Sequence, residues 1–315
     1  MRVAVTGAAG YVGGWLRTAL ISRRHEVFGQ DRVSVPRRTH LVFDLADHGM
    51  RHDWITSTRP DVVVHLAALY GRVWGETDLI STAAANAGLT AELARDCDRA
   101  GVPLLYVSSS EVYGRSAMRG TVDEKSPLAP LNMYGLSKKW GEEACQVYAP
   151  DGLMIARLNM PYGPPKDQPA IGQRPHTSGI PGTVGYNVLH SMVWEAEHGL
   201  PLKVHTGTER CLTWVGDAMR GLVMILESGQ SGIWNVCRND DHRTVAELAR
   251  LVLDVTGSAS ELVMEAPPYQ VTPRKSLDSA RLAGLGWQPE IALDEGVKRC
   301  WDYYRRFDAD GTWRG

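Results

Sequence analysis

The sequence predicts an α/β fold with a doubly wound parallel sheet, because short apolar segments alternate with helical patterns through its first half. Strands are expected at residues 2–6, 26–30, 39–43, 61–66, 104–109 and 153–158. Helices are expected between them, at about 77–100, where Gly101 ends the pattern, and at 133–148. Parallel strands joined by helices bring their carboxyl ends to one edge of the sheet, so functional residues are expected there.

The composition changes after Asn159. Residues 161–185 are rich in proline, glycine, glutamine and threonine, which favours a binding loop, with disorder as the alternative. Helices are then expected at about 187–197, 217–227, 244–256 and 293–307, and strands at 202–205 and 233–236. Thr244 and Glu247 form a capping-box pattern at one helix start. Residues 1–160 and 161–315 are therefore expected to form two interwoven domains, the second a smaller α/β domain that binds substrate.

Composition and charge exclude several classes of protein. The 315 residues are 43% hydrophobic, enough for a sizeable core, and a net charge of −2 argues against nucleic-acid binding. No apolar run approaches membrane-spanning length, and Met1 leads directly into the first strand, so neither a membrane span nor a signal peptide is expected. Five widely spaced cysteines indicate reduced thiols in a cytoplasmic protein. His48 and His52 lack a third ligand nearby, so no metal is predicted.

Glycines follow the first strand in a pattern typical of dinucleotide binding. Gly7 permits a tight turn, Gly10 lets the backbone approach a pyrophosphate, and Gly13 allows close packing of helix on strand. The phosphates would lie at the positive N-terminus of that helix. Three glycines alone are weak evidence. Because the next apolar run ends in Asp31, at the spacing of a ribose-binding acid, the segment predicts a Rossmann dinucleotide site.

The same acid bears on the choice of cofactor. Asp31 would bind both adenosine-ribose hydroxyls and repel a 2′-phosphate, which favours NAD. Arg32, Arg37 and Arg38 follow, and arginines can instead bind that phosphate. A solvated loop is the simpler interpretation of these arginines. NAD is the expected cofactor and NADP the alternative.

Four polar residues form a pattern that points to redox chemistry. Ser109 and Glu111 follow an apolar strand, and Tyr134 and Lys138 stand one turn apart on one helix face. A fixed cation favours the phenolate, so we expect Lys138 to lower the pKa of Tyr134 from its usual value of about 10. If Ser109 hydrogen-bonds the hydroxyl of a substrate alcohol, Tyr134 could take the proton of that hydroxyl while hydride leaves the carbon that carries it.

Together these motifs resemble the extended short-chain dehydrogenase/reductase family, in particular its nucleotide-sugar epimerases, dehydratases and decarboxylases. The resemblance covers nearly the whole chain. It rests on residues 6–13, 65–68, 86–90, 108–114, 134–138, 157–164, 207–210, 214–217 and 285–289. Each segment is modest evidence alone, but coincidence does not explain all of them in this order and spacing.

The resemblance implies roles for matching residues. Ser109 and Tyr134 would contact the sugar hydroxyl that is oxidised, usually at C4, and Lys138 would hold the nicotinamide ribose. The motifs and the resemblance together give as cofactor contacts Gly7, Gly10, Tyr11, Val12, Gly13, Asp31, Arg32, Asp44, Leu45, Leu66, Ala67, Ala68, Asn86, Val107, Tyr134 and Lys138. The substrate contacts implied are Ser109, Ser110, Asn159, Asn187 and Arg210.

Two segments depart from the family pattern. Where the family carries an Arg-x-Gly-Asp-like segment shortly before the position of Asp278, this chain has residues 267–274. A second phosphate or ribose contact is therefore missing or moved to Arg274. The loop at 161–185 also differs from the family, and both departures leave the nucleotide and the sugar open.

The family implies three reactions that share a keto intermediate. A 4-epimerase returns hydride to the other face, a 4,6-dehydratase also removes the C5 proton and expels water, and a uronic acid decarboxylase loses carbon dioxide. Glu111 after Ser110 matches mannose-type dehydratases and decarboxylases, but also some members that only epimerise. A decarboxylase would carry an arginine directly after the turn at 162–164, where Pro165 and Lys166 stand.

We therefore expect an NAD-dependent nucleotide-sugar epimerase that acts at C4 and recycles its cofactor. The alternatives are a 4,6-dehydratase or uronic acid decarboxylase that uses Glu111, a ketoreductase or dehydrogenase with net redox, and a non-catalytic dinucleotide-sensing protein. The family also implies a homodimer through a four-helix interface. Leu89, Leu93 and Val147 could contribute to that interface, although a monomer core explains them equally well.

Overall fold

The computed structural model describes residues 1–34, 39–166, 188–266 and 273–308. Its strands are β1 (Arg2–Thr6), β2 (Glu26–Asp31), β3 (His40–Val42), β4 (Val62–His65), β5 (Leu104–Ser109), β6 (Met154–Leu158), β7 (Pro161–Tyr162), β8 (Leu202–His205), β9 (Glu209–Cys211), β10 (Thr213–Trp214), β11 (Gly232–Val236), β12 (His242–Thr244) and β13 (Leu262–Glu265). Its α-helices are α1 (Tyr11–Ser22), α2 (His48–Thr58), α3 (Arg72–Thr77), α4 (Leu79–Ala83), α5 (Leu89–Ala100), α6 (Met133–Tyr148), α7 (Val188–Glu197), α8 (Val215–Ser228), α9 (Val245–Thr256), α10 (Ala280–Ala283) and α11 (Leu293–Tyr304). A π-helical segment spans Ala84–Gly88, and short 3-10 turns span Ser110–Val112 and Arg115–Met118.

Seven strands form one parallel sheet in the order β11-β6-β5-β4-β1-β2-β3, which confirms the predicted fold class. The direction of winding reverses between β1 and β4, so a crevice opens there outside the carboxyl ends of the strands. Thr6 pairs with Gln30 on one side and with His65 on the other, and these residues mark that edge. The remaining strands pair as β10-β7, β12-β9 and β13-β8.

The central strands are almost continuously apolar because helices cover both faces of the sheet. On one face, α1 and α8 pack over residues such as Val3 and Val64. On the other face, α2, α5 and α6 pack over residues such as Ala4 and Tyr106. The strand that ends in the candidate catalytic serine is therefore held rigidly in the core.

The second half of the chain returns to this sheet. β11 pairs with β6, and α8 lies in the same core as α1, although both elements follow residue 160. A separate apolar core gathers α7, α9 and α11 around Leu189, Leu248 and Val297. The two expected domains thus share the main sheet, and the division at residue 160 remains a prediction.

Helix ends follow the local sequence signals. Thr244 and Glu247 make the predicted capping box at the start of α9. Gly101 ends α5 with a φ of 65°, a left-handed conformation that glycine adopts without steric cost. The helix expected at 77–100 is divided into α4, the π-helical segment and α5. The α2 helix and the strands β7, β9, β10, β12 and β13 were not predicted from the sequence.

The three apolar residues considered for an interface, Leu89, Leu93 and Val147, differ in their exposure. Leu93 is fully buried and Leu89 is partly buried against the same core, so both side chains contribute to the packing of the monomer. Val147 is 70% exposed, as a contact residue would be. Further exposed apolar side chains on α4 and α6 are Leu79, Ile80, Trp140 and Tyr148.

All five cysteines are buried free thiols. Among the residues with described positions, no three potential metal ligands lie together. No helix in these segments is long and apolar enough to cross a membrane.

Candidate active site

One cavity of about 1730 Å³ runs along the carboxyl edge of the sheet and into the second half of the chain. Among the predicted residues, those that line it are Gly7, Gly10, Tyr11, Val12, Gly13, Asp31, Arg32, Asp44, Leu45, Leu66, Ala67, Ala68, Val107, Ser109, Ser110, Glu111, Tyr134, Lys138 and Arg210. Asn86 and Asn159 do not line it, and Asn187 lies outside the described residues. Residues far apart in sequence thus meet along a single ligand-sized groove.

The glycine turn after β1 is packed too closely to admit side chains. A Cβ on Gly13 would lie 2.2 Å from the carbonyl oxygen of Gly7, and a Cβ on Gly7 would lie 2.8 Å from the backbone nitrogen of Ala67. Gly7 also has a φ of 66°. The first turn of α1 follows at once, and no side chain caps it. Its positive end therefore faces the cavity, as an incoming pyrophosphate requires.

Asp31 lies at the carboxyl end of β2, where the adenosine ribose of a dinucleotide would reach. One carboxylate oxygen accepts a hydrogen bond from the backbone N–H of Ala9 at 3.0 Å, and the other from that of Arg32 at 2.7 Å. The Arg32 side chain is exposed and lies 3.9 Å from Asp44. The turn and this fixed carboxylate fit a dinucleotide. Arg37 and Arg38 lie outside the described residues.

A directed chain of hydrogen bonds holds the cavity wall beside the glycine turn. The hydroxyl of Thr6 accepts from the N–H groups of residues 66 and 67, so its own proton goes to Nδ1 of His65 at 2.7 Å. Nε2 of His65 then donates to Thr90 at 3.0 Å, because the Thr90 hydroxyl donates to the carbonyl of Asn86. Burial lowers the pKa of His65 to about 3, with the charge of Lys138 adding to the effect. His65 is therefore a neutral structural residue.

Asn86 was expected to contact the cofactor, and the structure places it behind the cavity instead. Its amide binds both backbone polar groups of Leu69, at 2.8 and 2.9 Å, and donates to the hydroxyl of Ser137 at 3.0 Å. Ser137 in turn donates to the carbonyl of Tyr134. Asn86 thus clamps the loop after β4 to the helix that carries Tyr134.

Ser109, Tyr134 and Lys138 line the same cavity, as the sequence predicts. As a hydrogen-bond donor to the phenol of Tyr134, the hydroxyl of Ser109 lowers the pKa of that phenol. The ammonium of Lys138 is nearly buried and lies 4.1 Å from the centre of the Tyr106 ring, whose negative face stabilises it. A Cβ on Gly141 would overlap that ring, so the absence of a side chain lets α6 approach β5.

The pKa values differ from the expectation for this pair. Burial raises the pKa of Tyr134, and its hydrogen bond with Ser109 only partly offsets that effect. Burial also lowers the pKa of Lys138 to about 7. The expectation that Lys138 lowers the pKa of Tyr134 was therefore wrong for the ligand-free protein. The loss of contact with water is the largest cause of the raised pKa of Tyr134, and the neighbouring Tyr70 and Glu111 raise it further.

Glu111 is held in a cluster of opposite charges. Arg72 binds its carboxylate bidentately, with Nε 3.2 Å from Oε2 and Nη2 3.1 Å from Oε1, while Asn132 donates at 2.9 Å and Lys275 forms an ion pair. Burial alone would raise the pKa of Glu111, but Lys275 and Arg72 lower it to about 2. Glu111 is thus ionised throughout the neutral range, with hydrogen-bond donors around both of its oxygens.

A second charged network joins α6 to the strands β5 and β6. Arg157 on β6 makes a bidentate ion pair with Glu142 on α6, at 3.0 and 2.7 Å, and donates to the hydroxyl of Tyr113. Ser108 donates to the same glutamate at 2.5 Å. These groups are buried and mutually satisfied, so they fix α6 against β5 and β6.

At the far end of the cavity, Arg210 is positioned by backbone carbonyls. Its Nη1 donates to the carbonyl of Glu209 at 2.6 Å, and Lys203 and His205 on β8 line the same wall. Asn159 lies outside the cavity and donates to the carbonyl of Cys211 at 3.0 Å. The expected substrate contact of Asn159 is therefore replaced by a tie between β6 and β9.

The segment that departs from the family pattern turns the neighbouring side chain inward. Arg274 is exposed and pairs with Glu209 at 3.4 Å, so it does not supply the contact expected of it. Lys275, the next residue, lines the cavity instead. Arg72, Asn132 and Lys275 were all missed from the sequence. The position of Arg72 just after a strand end was the one available signal, since nothing local tells which side chain of 274–275 faces inward.

Comparisons with known proteins identify the family of this chain. The sequence matches the model of the NAD dependent epimerase/dehydratase family over residues 3–237. It is 26% identical to UDP-glucuronic acid decarboxylase 1 of Xenopus tropicalis, over 97% of this chain and 72% of that protein. It is 27% identical to GDP-L-fucose synthase 1 of Arabidopsis thaliana, over 96% of this chain and 93% of that protein.

Solved structures show the same fold. The UDP-glucose 4-epimerase of Thermus thermophilus, in complex with NAD, superposes with a TM-score of 0.84 at 24% identity, covering 97% of this chain and 99% of that one. The UDP-glucuronic acid 4-epimerase of Bacillus cereus, in complex with UDP-glucuronic acid and NAD, gives 0.81 at 22% identity, covering 96% and 99%. From the family match, this chain belongs to the NAD dependent epimerase/dehydratase family, and NAD is its cofactor.

Proposed function

We propose that this protein is a nucleotide-sugar 4-epimerase that recycles its NAD. The observation that carries the proposal is the juxtaposition of Ser109, Tyr134 and Lys138 in the same cavity as the glycine turn and Arg210. That cavity is large enough to bind a dinucleotide at one end and a diphosphate-linked sugar at the other.

In the proposed reaction, the protein moves a proton and the cofactor moves a hydride. Ser109 and Tyr134 hydrogen-bond the C4 hydroxyl of the sugar, and Tyr134, once its own proton has been released to solvent, accepts the hydroxyl proton as the C4–H bond breaks. NAD, when bound, supplies the hydride acceptor. Any positive charge brought into the cavity lowers the pKa of Tyr134 from its raised value, which favours proton transfer at neutral pH. The keto sugar then rotates in the site and presents the other face of C4. Tyr134 returns the proton to the oxygen as the hydride returns to that face.

The environment of Glu111 supports epimerisation over 4,6-dehydration. A dehydratase needs a group that takes the C5 proton and then gives a proton to the leaving hydroxyl. A carboxylate with a pKa of about 2, bound by Arg72, Asn132 and Lys275, is a weak base and is not protonated at neutral pH. Uronic acid decarboxylation remains the second candidate, because it needs a cation near the sugar carboxylate, and Arg72 and Lys275 are cations.

The test is product analysis in D₂O. Purified protein is incubated with UDP-, dTDP- and GDP-hexoses and with the corresponding uronic acids, and products are identified by NMR. A C4 epimer without deuterium at C5 supports the proposal, deuterium at C5 with loss of water indicates a dehydratase, and a pentose indicates a decarboxylase. Tyr134→Phe is expected to abolish turnover while NAD stays bound. NAD that exchanges freely during gel filtration would instead favour a dehydrogenase with net redox.

We also propose a homodimer that covers the exposed apolar side chains of α4 and α6. Ile80 on α4 is 83% exposed and Val147 on α6 is 70% exposed, and so much exposure is unusual for large aliphatic side chains. Burying such side chains between two copies of the chain stabilises an interface at about 25 cal/mol per Å² of apolar surface.

A further inference from the structure

The cluster around Glu111 contains more positive than negative charge. Arg72 and Lys275 carry two positive charges and Glu111 carries one negative charge, and all three line the cavity beside Ser110 and Tyr134. The Lys275 side chain is 6% exposed and that of Arg72 is 17% exposed, so the excess charge is largely withdrawn from water. Such a charge is costly unless a further anion meets it.

Arg72 and Lys275 each have N–H groups that make no hydrogen bond to the described residues. Of the three N–H groups of Lys275, one meets Glu111, and no other contact to the described residues engages this ammonium. Arg72 uses Nε and Nη2 on Glu111, which leaves Nη1 without a hydrogen bond to the parts of the chain that the structure covers. Nη1 is not sealed inside the protein, because it is absent from the buried unsatisfied atoms. These donors are free for an anion in the cavity.

Two further carboxylates that line the cavity, Glu92 and Glu265, are paired with other residues. Glu92 binds Arg51 and Arg95 at another part of the cavity wall. Glu265 lies 3.3 Å from His205 on the far wall. Burial, together with Arg72 and Arg210, lowers the pKa of Lys275 despite the carboxylate beside it. The lysine therefore lies in a field with an excess of positive charge.

We propose that Arg72 and Lys275 recognise a carboxylate on the sugar, so that the substrates are nucleotide-linked uronic acids rather than neutral hexoses. The proposal rests on the proposed function, because it places the sugar at Ser109 and Tyr134. Glu111 then serves to hold the two cations in place and is not a proton-transfer group. Arg72 comes from the loop that Asn86 clamps, so the site unites the loop after β4 with the segment at 273–277.

The test measures binding without turnover. Tyr134→Phe protein loaded with NAD is titrated by calorimetry with two pairs of ligands that differ only at C6: UDP-glucuronic acid against UDP-glucose, and GDP-mannuronic acid against GDP-mannose. The uronic acid of at least one pair is expected to bind at least tenfold more tightly than its neutral partner. Equal affinities, or a preference for the neutral sugar, would overturn the inference while leaving the proposed function intact. Failure of every nucleotide sugar to bind would overturn both.

Charge variants in the same background separate recognition from structural support. Lys275→Met is expected to weaken uronic acid binding by about tenfold to a hundredfold, as loss of a charged hydrogen bond does, with less than threefold change for the neutral sugar. Glu111→Gln removes a negative charge and is expected to tighten uronic acid binding. Arg274→Met, an exposed neighbour paired with Glu209, is the matched control and should change neither affinity. Parallel losses for both sugars in the Lys275 and Glu111 variants would show a merely structural cluster.

Discussion

Replacing Glu111 with glutamine tests the charged cluster most directly. The side chain of Glu111 is only 13% exposed, and its pKa is lowered from 4.5 to about 2 because the opposing charges of Lys275 and Arg72 outweigh the cost of burial. A lowering of that size corresponds to roughly 3 kcal/mol in favour of the folded protein at neutral pH. We expect Glu111→Gln to lose a stabilisation of that order at pH 7.

The loss has a defined pH dependence. Because the pKa of Glu111 is lower in the folded state, its contribution is fully present above pH 4.5 and disappears as the pH falls through about 2. At pH 3 the difference between wild type and Glu111→Gln should therefore shrink to roughly 1.5 kcal/mol. Urea unfolding at both pH values measures it. Glu143→Gln is the control, because that exposed carboxylate pairs with Lys139 one turn away and contributes about 0.5 kcal/mol or less.

The same variant separates the chemical roles. If Glu111 holds cations and moves no proton, Glu111→Gln should retain C4 epimerisation to within roughly tenfold once folded protein is compared. A folded variant that binds NAD and sugar but has lost turnover by more than about a thousandfold, together with C5 deuteration in the wild type, would refute this reasoning. Glu111 would then be an acid/base group.

Further substitutions test the cofactor cradle, the clamp and the interface. Gly13→Ala should prevent NAD retention in gel filtration, because its Cβ would lie 2.2 Å from a carbonyl oxygen, whereas Gly49→Ala, with no contact closer than 3.5 Å, should retain NAD. Asn86→Ala removes three hydrogen bonds and should lower the free energy of unfolding by about 3 kcal/mol in urea; a loss below about 1 kcal/mol would contradict the clamp. Ile80→Asp with Val147→Asp should give a monomer in light scattering at micromolar concentration, and a persistent dimer would exclude this interface.

Much of the fold follows from local signals. The alternation of apolar runs and helical patterns is enough to predict a parallel sheet, because the spacing of apolar residues in a strand or a helix is visible within a few neighbouring residues. The strands β7, β9, β10 and β12 escape that reasoning, because two or three residues hold too little pattern. The π-helical segment also escapes it, since residues 84–88 read as ordinary helix.

In the candidate site too, residues placed by local structure were predicted and contacts between distant segments were not. Gly7, Gly13, Asp31, Tyr134 and Lys138 were found from spacing, because a turn or a helix fixes their geometry within a few residues. Contacts across the fold were not found in this way. The wrong prediction for the pKa of Tyr134 has the same origin, because burial is a property of the whole fold.

The sequence by itself determined a parallel α/β sheet with a dinucleotide turn and a serine–tyrosine–lysine constellation, because these depend on interactions within one or two elements. Tertiary structure alone decided that Lys275 faces inward while Arg274 faces solvent, and that Asn86 is a clamp. It also decided that Glu111 is bound by cations from two distant segments. Charge interactions depend on distance and burial in space, and neither is encoded in the local pattern of the chain.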